Sequence, residues 1–466
     1  MGQNQDKGKK YLTASIYYVI GNVIGQGVVL LSSGIFTRMM SQEAYGLVNT
    51  YAAWVLVLNT FIGLNLFITV RNAYIDYFEK YEEFVSSVLL LSLLAFVVLT
   101  AGIIGGIKLF HIKTDLFVVL LAAVQAISLH TINYEMAVQS MKNQYKQRTL
   151  LLIFPNCIHT FLSIGLIMIC TSNPYYAKIL GNMLGLLLFA VAIIICTFSR
   201  QKPRYIKEYW KYALIISLPA ILNTLSDLVL IQSDRIMLTE LVGADETAVY
   251  SLVYNIGSII FALYTAINGA WGAWFYKSLA QKEEQKIKNV QTVYLYGLSL
   301  LTIGILTVSP EIIKILSPSS YWQGIDYVNL IVISSFLMFI YAFFTTYLMY
   351  LKKTGMIAIN TVIAAMFNVG LNYLLIPDYK AFGAAVATMV SYIILFLLHY
   401  RAAKKQTTDC FCIAKMFGSI GIVTGYGIVF YFIRNQFVIR SVIVVILASI
   451  VLAMAYRYWQ RRGEKK

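Results

Sequence analysis

Read from one end to the other, the chain shows neither the two-residue alternation of a half-buried strand nor the single stripe of a surface helix. It shows apolar runs of about twenty residues separated by short polar breaks, the pattern of helices long enough to cross hydrocarbon. Roughly fourteen runs recur, at residues 13–36, 46–69, 84–107, 115–138, 149–170, 177–198, 212–236, 248–271, 290–308, 326–350, 356–376, 382–400, 413–433 and 438–456. Lipid offers no partner to a backbone amide, so spanning segments of this kind are helices. The pattern therefore predicts an all-α, polytopic membrane protein. The leading MGQNQDKGKK resembles the basic region of a signal peptide, but the run behind it is too long and has no small-residue cleavage site, so it is expected to stay as the first helix.

The polar breaks are short, about 15 residues at most, and leave no room for a soluble catalytic or nucleotide-binding domain. No phosphate loop of the Gly-x-x-x-x-Gly-Lys-Ser/Thr type occurs. No catalytic residue and no ATP hydrolysis are expected.

Composition agrees: 466 residues, 59% hydrophobic and 12% charged, against about 25% charged in soluble domains. The 37 Lys and Arg exceed the 21 Asp and Glu, for a net +16. All but nine of the basic residues (Arg38, Lys108, Lys113, Lys178, Arg235, Lys314, Lys380, Arg434 and Arg440) fall in the two tails or in alternate breaks. By the positive-inside tendency both termini face the cytoplasm. The scattered basic residues attract anionic membrane lipid and make no nucleic-acid surface. The five cysteines (Cys157, Cys170, Cys196, Cys410 and Cys412) lack the companions of a metal site, and neither disulfide nor metal is expected.

Self-similarity organises the runs. FTRMMSQEAYGLVNTY and SDRIMLTELVGADETAVYSLVYN each place an arginine at a run's end, Arg38 and Arg235, before a polar loop and a Tyr-small-Leu-Val re-entry. Gly181-x-x-x-Gly185 matches Gly383-x-x-x-Ala387 at a similar offset, near 200 residues. Two six-helix lobes in parallel orientation follow. The expected division is a first lobe at 1–198, a basic inter-lobe linker at 199–211, a second lobe at 212–401, and an appended helix pair with a basic tail at 402–466.

Within NVGLNYLLIPDYKAFGAAVATMVSY, residues 368–392, Asn368 and Asn372 lie one turn apart on one face. Pro377 marks a helix end. Gly383, Ala387 and Ser391 then form a small-residue stripe that lets two helices approach closely. The stretch predicts a tight helical hairpin, its asparagines serving packing.

Asn-x-x-x-Asn-x-x-Leu-Ile-Pro followed by Gly-Ala-Ala-x-Ala-Thr-x-x-Ser-Tyr resembles the bacterial polysaccharide flippase family (Wzx type), within the multidrug/oligosaccharidyl-lipid/polysaccharide exporter superfamily. GNVIGQGVVLLSSGIFTRMMSQEAYGLVNTYAAW, SDRIML and VYSLVYNIGS resemble it in the expected order, and the likeness runs from about residue 12 to 455. It implies a V-shaped, two-lobed transporter in the bacterial cell membrane. The implied substrate is an undecaprenyl-diphosphate-linked oligosaccharide moved to the outer leaflet by alternating access, alongside a polysaccharide polymerase or export complex.

Ionisable groups inside spans cost about 2.5–3.5 kcal/mol each on insertion scales and mark functional positions. Asp227 and Asp234 are the coupling candidates, for a proton or sodium ion, and no other cofactor is expected. Arg38, Arg71 and Arg235 are the cations available to a diphosphate, and Arg38 and Arg71 are expected to help receive it. Asn22, Gln26, Asn49, Asn59 and Asn65 line a vestibule for the glycan, and Trp271 stacks on a sugar. Glu135, near the cytoplasmic end of its run, faces water, and Tyr209 and Trp210 anchor at the interface. Three rivals remain: a cation-coupled drug or small-molecule antiporter, a peptidoglycan-precursor flippase, and an integral-membrane glycosyltransferase or polymerase. The last would be expected to carry a large acidic or Arg-rich outer loop, and the loop at 309–324 holds only Glu311 and Lys314.

Overall fold

The computed structural model describes residues 2–406 and 410–463, except for the side chains of 2–16, 18, 265–270, 273, 450–451 and 453–463. The described residues form helices α1 (Gly2–Met39), α2 (Gln42–Ile62), the short α3 (Thr69–Asp76), α4 (Tyr81–Leu109), α5 (Leu116–Met141), α6 (Tyr145–Ile169) and α7 (Pro174–Arg200). They continue with α8 (Lys207–Leu241), α9 (Ala244–Ala280), α10 (Glu284–Leu316), α11 (Val328–Tyr350), α12 (Thr354–Lys404), α13 (Ile413–Ile433) and α14 (Phe437–Gly463). Twelve are long and apolar enough to cross a membrane, with α12 counted once. The chain is a multi-pass membrane protein.

At 51 residues, α12 is too long for one crossing, and Lys380 breaks it with φ 50 and ψ −133. The break is a reversal. A Cβ added to Gly383 would lie 2.5 Å from the carbonyl oxygen of Leu375, a residue about 12 Å away along a straight helix. The hairpin read from residues 368–392 is present, its second leg close-packed through buried Gly383, Ala387 and Ser391. Counting both legs and α14, the chain has the fourteen long helices its apolar runs imply.

The lobes share a packing scheme. In the first, α1 packs on α6, α6 on α7, α2 on α5 and α5 on α7; in the second, α8 packs on α12, the two legs of α12 on each other, α9 on α11 and α11 on α12. The hairpins match in detail. A Cβ on Gly181 or Gly185 would sit 2.5 Å from the Ser163 Cα or 2.4 Å from the His159 Cα, so only glycine permits that approach. Local sequence places the ends: Ser41 caps α2 by accepting from the Ala44 amide at 3.2 Å, and Pro174 begins α7 where its missing N–H is harmless. Asp115 caps α5, and donation from Tyr176 and the Phe117 amide holds its carboxyl below the usual range.

Helices α13 and α14 attach to the second lobe. Tyr426 meets Thr307 of α10 at 2.6 Å, and buried Arg440 reaches Glu311 at 2.6 Å and the Thr307 carbonyl at 2.9 Å. The non-helical link between lobes is shorter than the sequence suggests, 201–206, because α8 starts at Lys207. Tyr209 is no interface anchor: it is 4% exposed, packed against Phe84 and donating to Glu83. Trp210 is half-buried and donates to the Ser87 carbonyl at 3.0 Å.

Candidate functional site

Two faces of the bundle are distinguishable. The basic face carries the turns at 63–80, 142–144, 201–206, 281–283 and 351–353, and the opposite face carries those at 40–41, 110–115, 170–173, 242–243 and 317–327. The lobes meet most closely at the opposite face. A Cβ on Gly46 of α2 would fall 1.8 Å from the Ala244 carbonyl oxygen. Beside it Thr37 donates to the Leu316 carbonyl at 2.8 Å and Thr50 meets Thr239 at 2.5 Å. Contact continues inward to a hydrogen bond between Gln26 and Ser258, and Asn65, with φ 53, donates to Thr224 of α8 at 2.9 Å.

Inside the second lobe lies the densest polar network of the described spans. Asp234 of α8 is completely buried. Its carboxylate accepts from Tyr250 of α9, from Asn372 at 2.6 Å on the first leg of α12, and from Thr388 at 2.6 Å on the second. Ser233 donates to Asn368 Oδ1 at 2.7 Å, as Asn372 does at 3.2 Å. The carboxylate thus ties four helical legs together, and the two asparagines join α12 to α8. Asn372 Oδ1 is buried without a partner. Turning that amide over would surround Asp234 with oxygens alone, from Asn372, Thr388 and Tyr250, a set suited to a hard monovalent cation or a proton. No group of three His, Cys, Asp or Glu side chains that could hold a metal occurs among the described residues.

Asp227 lies two turns earlier on nearly the same face. Its side chain is exposed, and among the described residues it has no hydrogen-bond or ion-pair partner, though Tyr341 and Tyr392 lie within electrostatic range. Ile231, Thr388 and Ser258 line a cavity of about 70 Å³. Thr388 holds Asp234 and Ser258 holds Gln26, so the cavity links the carboxylate network to the lobe interface.

Other candidates lie elsewhere. Arg38 is exposed at the opposite face, where it donates to the Ile315 carbonyl at 2.6 Å and caps the end of α10. Arg71 is exposed on α3 beyond the other end of α2, about 30 Å away at 1.5 Å per residue. One diphosphate cannot touch both in this conformation. Arg235 is buried, bonded to Ser251, Gln232 and the Ile231 carbonyl, and set 4.5 Å over the Tyr254 ring. Trp271 is 3% exposed among Trp274, Phe275, Tyr294 and Phe343, and no sugar reaches its faces here. Asn49 bonds its own helix at Tyr45, Asn59 Oδ1 is buried without a partner, and Asn22 is half-buried. Glu135 is nearly buried, at 5% exposure. Sequence reasoning missed Tyr250 and Thr388. Thr388 sits one position after Ala387 of the small-residue stripe, and Tyr250 opens the repeated Tyr-small-Leu-Val motif, so each carried a faint signal.

Comparison with known proteins fits this geometry. A family model described as polysaccharide biosynthesis protein matches residues 12–279, and a MatE model matches 219–374. A probable low-salt glycan biosynthesis flippase, Agl15, from Haloferax volcanii is 27% identical over 206 residues, covering 43% of this chain and 42% of that protein. Less than half of that relative's length is therefore matched. Among solved structures, the lipid II flippase MurJ in an inward closed conformation superposes with a TM-score of 0.67 at 15% identity, over 96% of this chain and 99% of that one. A Vibrio cholerae MATE transporter, VcmN, gives 0.61 at 13% identity over 88% and 99%.

Proposed function

The chain belongs to the polysaccharide biosynthesis protein family, matched over residues 12–279, and from that premise we propose that it is a flippase. Its cargo is an undecaprenyl-diphosphate-linked oligosaccharide, carried from the inner to the outer leaflet of a bacterial cytoplasmic membrane for capsule, exopolysaccharide or O-antigen-like assembly. The basic face is cytoplasmic, as are both termini. A sodium ion or proton at Asp234, reached by way of Asp227, couples to the rocking of the lobes, and the translocated glycan passes to a polymerase or export complex. The carrying observation is the lobe interface, closed by backbone contact at Gly46 and Ala244 on the opposite face and linked through Ser258 and the small cavity to a buried carboxylate. Alternating access needs such a closure that opens, and an ion-sensitive element beside it.

The test is leaflet accessibility of the lipid-linked oligosaccharide in reconstituted vesicles. Wild type is expected to translocate it and Gly46→Leu, which cannot close the opposite face, to lose at least about tenfold of the rate, some 1.4 kcal/mol. No translocation of any undecaprenyl-linked glycan would overturn the reading. The MatE match over 219–374 favours a second reading, a cation-coupled antiporter of small molecules, which gradient-driven export by the same vesicles would support. Translocation confined to a peptidoglycan-precursor lipid would redirect the substrate assignment.

A further inference from the structure

The first lobe holds a buried carboxylate that the proposed transport cycle does not use. Helices α6 and α7 are in backbone contact where Gly181 and Gly185 meet Ser163 and His159, and they splay toward the basic face. The wedge between them is a cavity of about 630 Å³, within the range of ligand sites. Its floor is Glu135 and Gln139, one turn apart on α5 and only 5% and 4% exposed. Gln139 Nε2 donates to Glu135, while Gln139 Oε1 is buried with no partner. At the rim Arg200 is 49% exposed and stands 4.0 Å from Glu135, beyond hydrogen-bond reach. Lys142, also at the rim, pairs with Glu82. Leu150 and Phe189 contribute apolar wall.

These groups specify what fills the wedge. A buried carboxylate calls for a hydrogen-bonded cation, and an orphaned amide oxygen calls for a second N–H donor. Arg200 supplies neither at its present distance. A primary ammonium supplies both, and the rim guanidinium then receives an anion attached to that ammonium. We propose that the wedge binds a phosphoethanolamine group, its ammonium on Glu135 and Gln139 and its phosphate on Arg200. The apolar wall, in a membrane-spanning lobe at the level of the basic turns, assigns that group to the headgroup of an ethanolamine phospholipid in the adjacent leaflet.

The test is binding to the full-length purified protein, by native mass spectrometry, of phosphatidylethanolamine, phosphatidylcholine and phosphatidylglycerol of one chain composition, with soluble O-phosphoethanolamine alongside. Phosphatidylethanolamine is expected to bind at least about tenfold tighter than either other lipid, since choline has no N–H and glycerol no charge, one charge-assisted hydrogen bond being worth that factor. Glu135→Gln and Gln139→Leu should each remove the preference while leaving phosphatidylcholine unchanged. Arg200→Ala, at the exposed rim where folding is not at stake, should weaken phosphatidylethanolamine binding, because its phosphate loses the guanidinium. Equal binding of the three lipids by wild type would overturn the proposal, as would an Arg200→Ala protein that binds phosphatidylethanolamine as tightly as wild type does. Soluble O-phosphoethanolamine binding as tightly as the lipid would overturn the lipid assignment. None of these readings depends on transport, so failure here is distinguishable from failure of the flippase reading.

Discussion

In the second lobe the fully buried charge is a carboxylate, Asp234, met by three neutral donors. In the first lobe a buried charge beside the matching hairpin is an ammonium. Lys178 is 6% exposed, donates to Asn182 Oδ1 at 3.0 Å and lies 3.5 Å over the Phe36 ring. Nearby, His159 Nε2 meets Asn156 Oδ1 at 3.2 Å and its Nδ1 is buried without a partner. One helix scaffold thus encloses opposite charges. Beside its hairpin the second lobe gathers oxygens around a carboxylate and suits a cation; beside the matching hairpin the first lobe places the amine of Lys178 instead. The proposed coupling therefore assigns the ion to the second lobe's hairpin and not to the first's.

The largest effect that tests this contrast is on stability. Asp234→Ala would strand Tyr250, Asn372 and Thr388 in a dry interior, and breaking a buried charged network from one side costs about 3–5 kcal/mol. Lys178→Met removes a buried basic group with no carboxylate partner among the described residues, and relief of its desolvation is expected to leave stability unchanged or raised. Thermal unfolding in detergent should show Asp234→Ala far below wild type and Lys178→Met at or above it. Equal damage would erase the asymmetry.

A smaller difference is expected between the arginines that occupy matching places in the two halves. Arg235→Met removes three buried hydrogen bonds and a ring contact and should cost about 2–3 kcal/mol. Arg38→Met loses two bonds at an exposed site and should cost about 1 kcal/mol or less. Denaturant midpoints for the pair would measure the gap, and a larger loss at Arg38 would mean that the closed lobe interface carries more of the stability than the interior.

The smallest contrast should be between the hairpins, where the lobes are alike. Gly185→Ala and Gly383→Ala both force a Cβ to within about 2.5 Å of a neighbour's backbone, an overpacking of about 1–3 kcal/mol. Gly165 on α6 meets nothing within 4 Å, and Gly165→Ala should gain up to about 1 kcal/mol from helix propensity. Unequal losses at the first two would show that the repeat is less regular than its packing.

Much of this was legible in the residues. Apolar runs set the helices, and Pro377 with Gly383, Ala387 and Ser391 announced the hairpin, because close helix approach demands small side chains at that spacing. Asn368 and Asn372 were readable as packing groups because a buried amide in lipid needs a partner. Their partner was not readable. Asp234 lies 138 positions from Asn372 and 154 from Thr388, and no local period encodes which helices become neighbours. The same gap hid Arg38 capping Ile315, 277 positions away. An aromatic near a helix end, such as Trp271, is equally at home in a binding cleft or a core. The rings of Tyr294 and Phe343, brought in from α10 and α11, decided for the core.

The central claim is that transport of lipid-linked glycan draws its coupling from the second lobe alone. Its most direct test is the translocation rate of that lipid in vesicles with and without an imposed sodium or proton gradient, for wild type, Asp234→Asn and Lys178→Met side by side. The account predicts that a gradient accelerates wild type and Lys178→Met alike, and that Asp234→Asn translocates at the same rate with or without it. Gradient-accelerated transport by Asp234→Asn, or its loss in Lys178→Met, would contradict it.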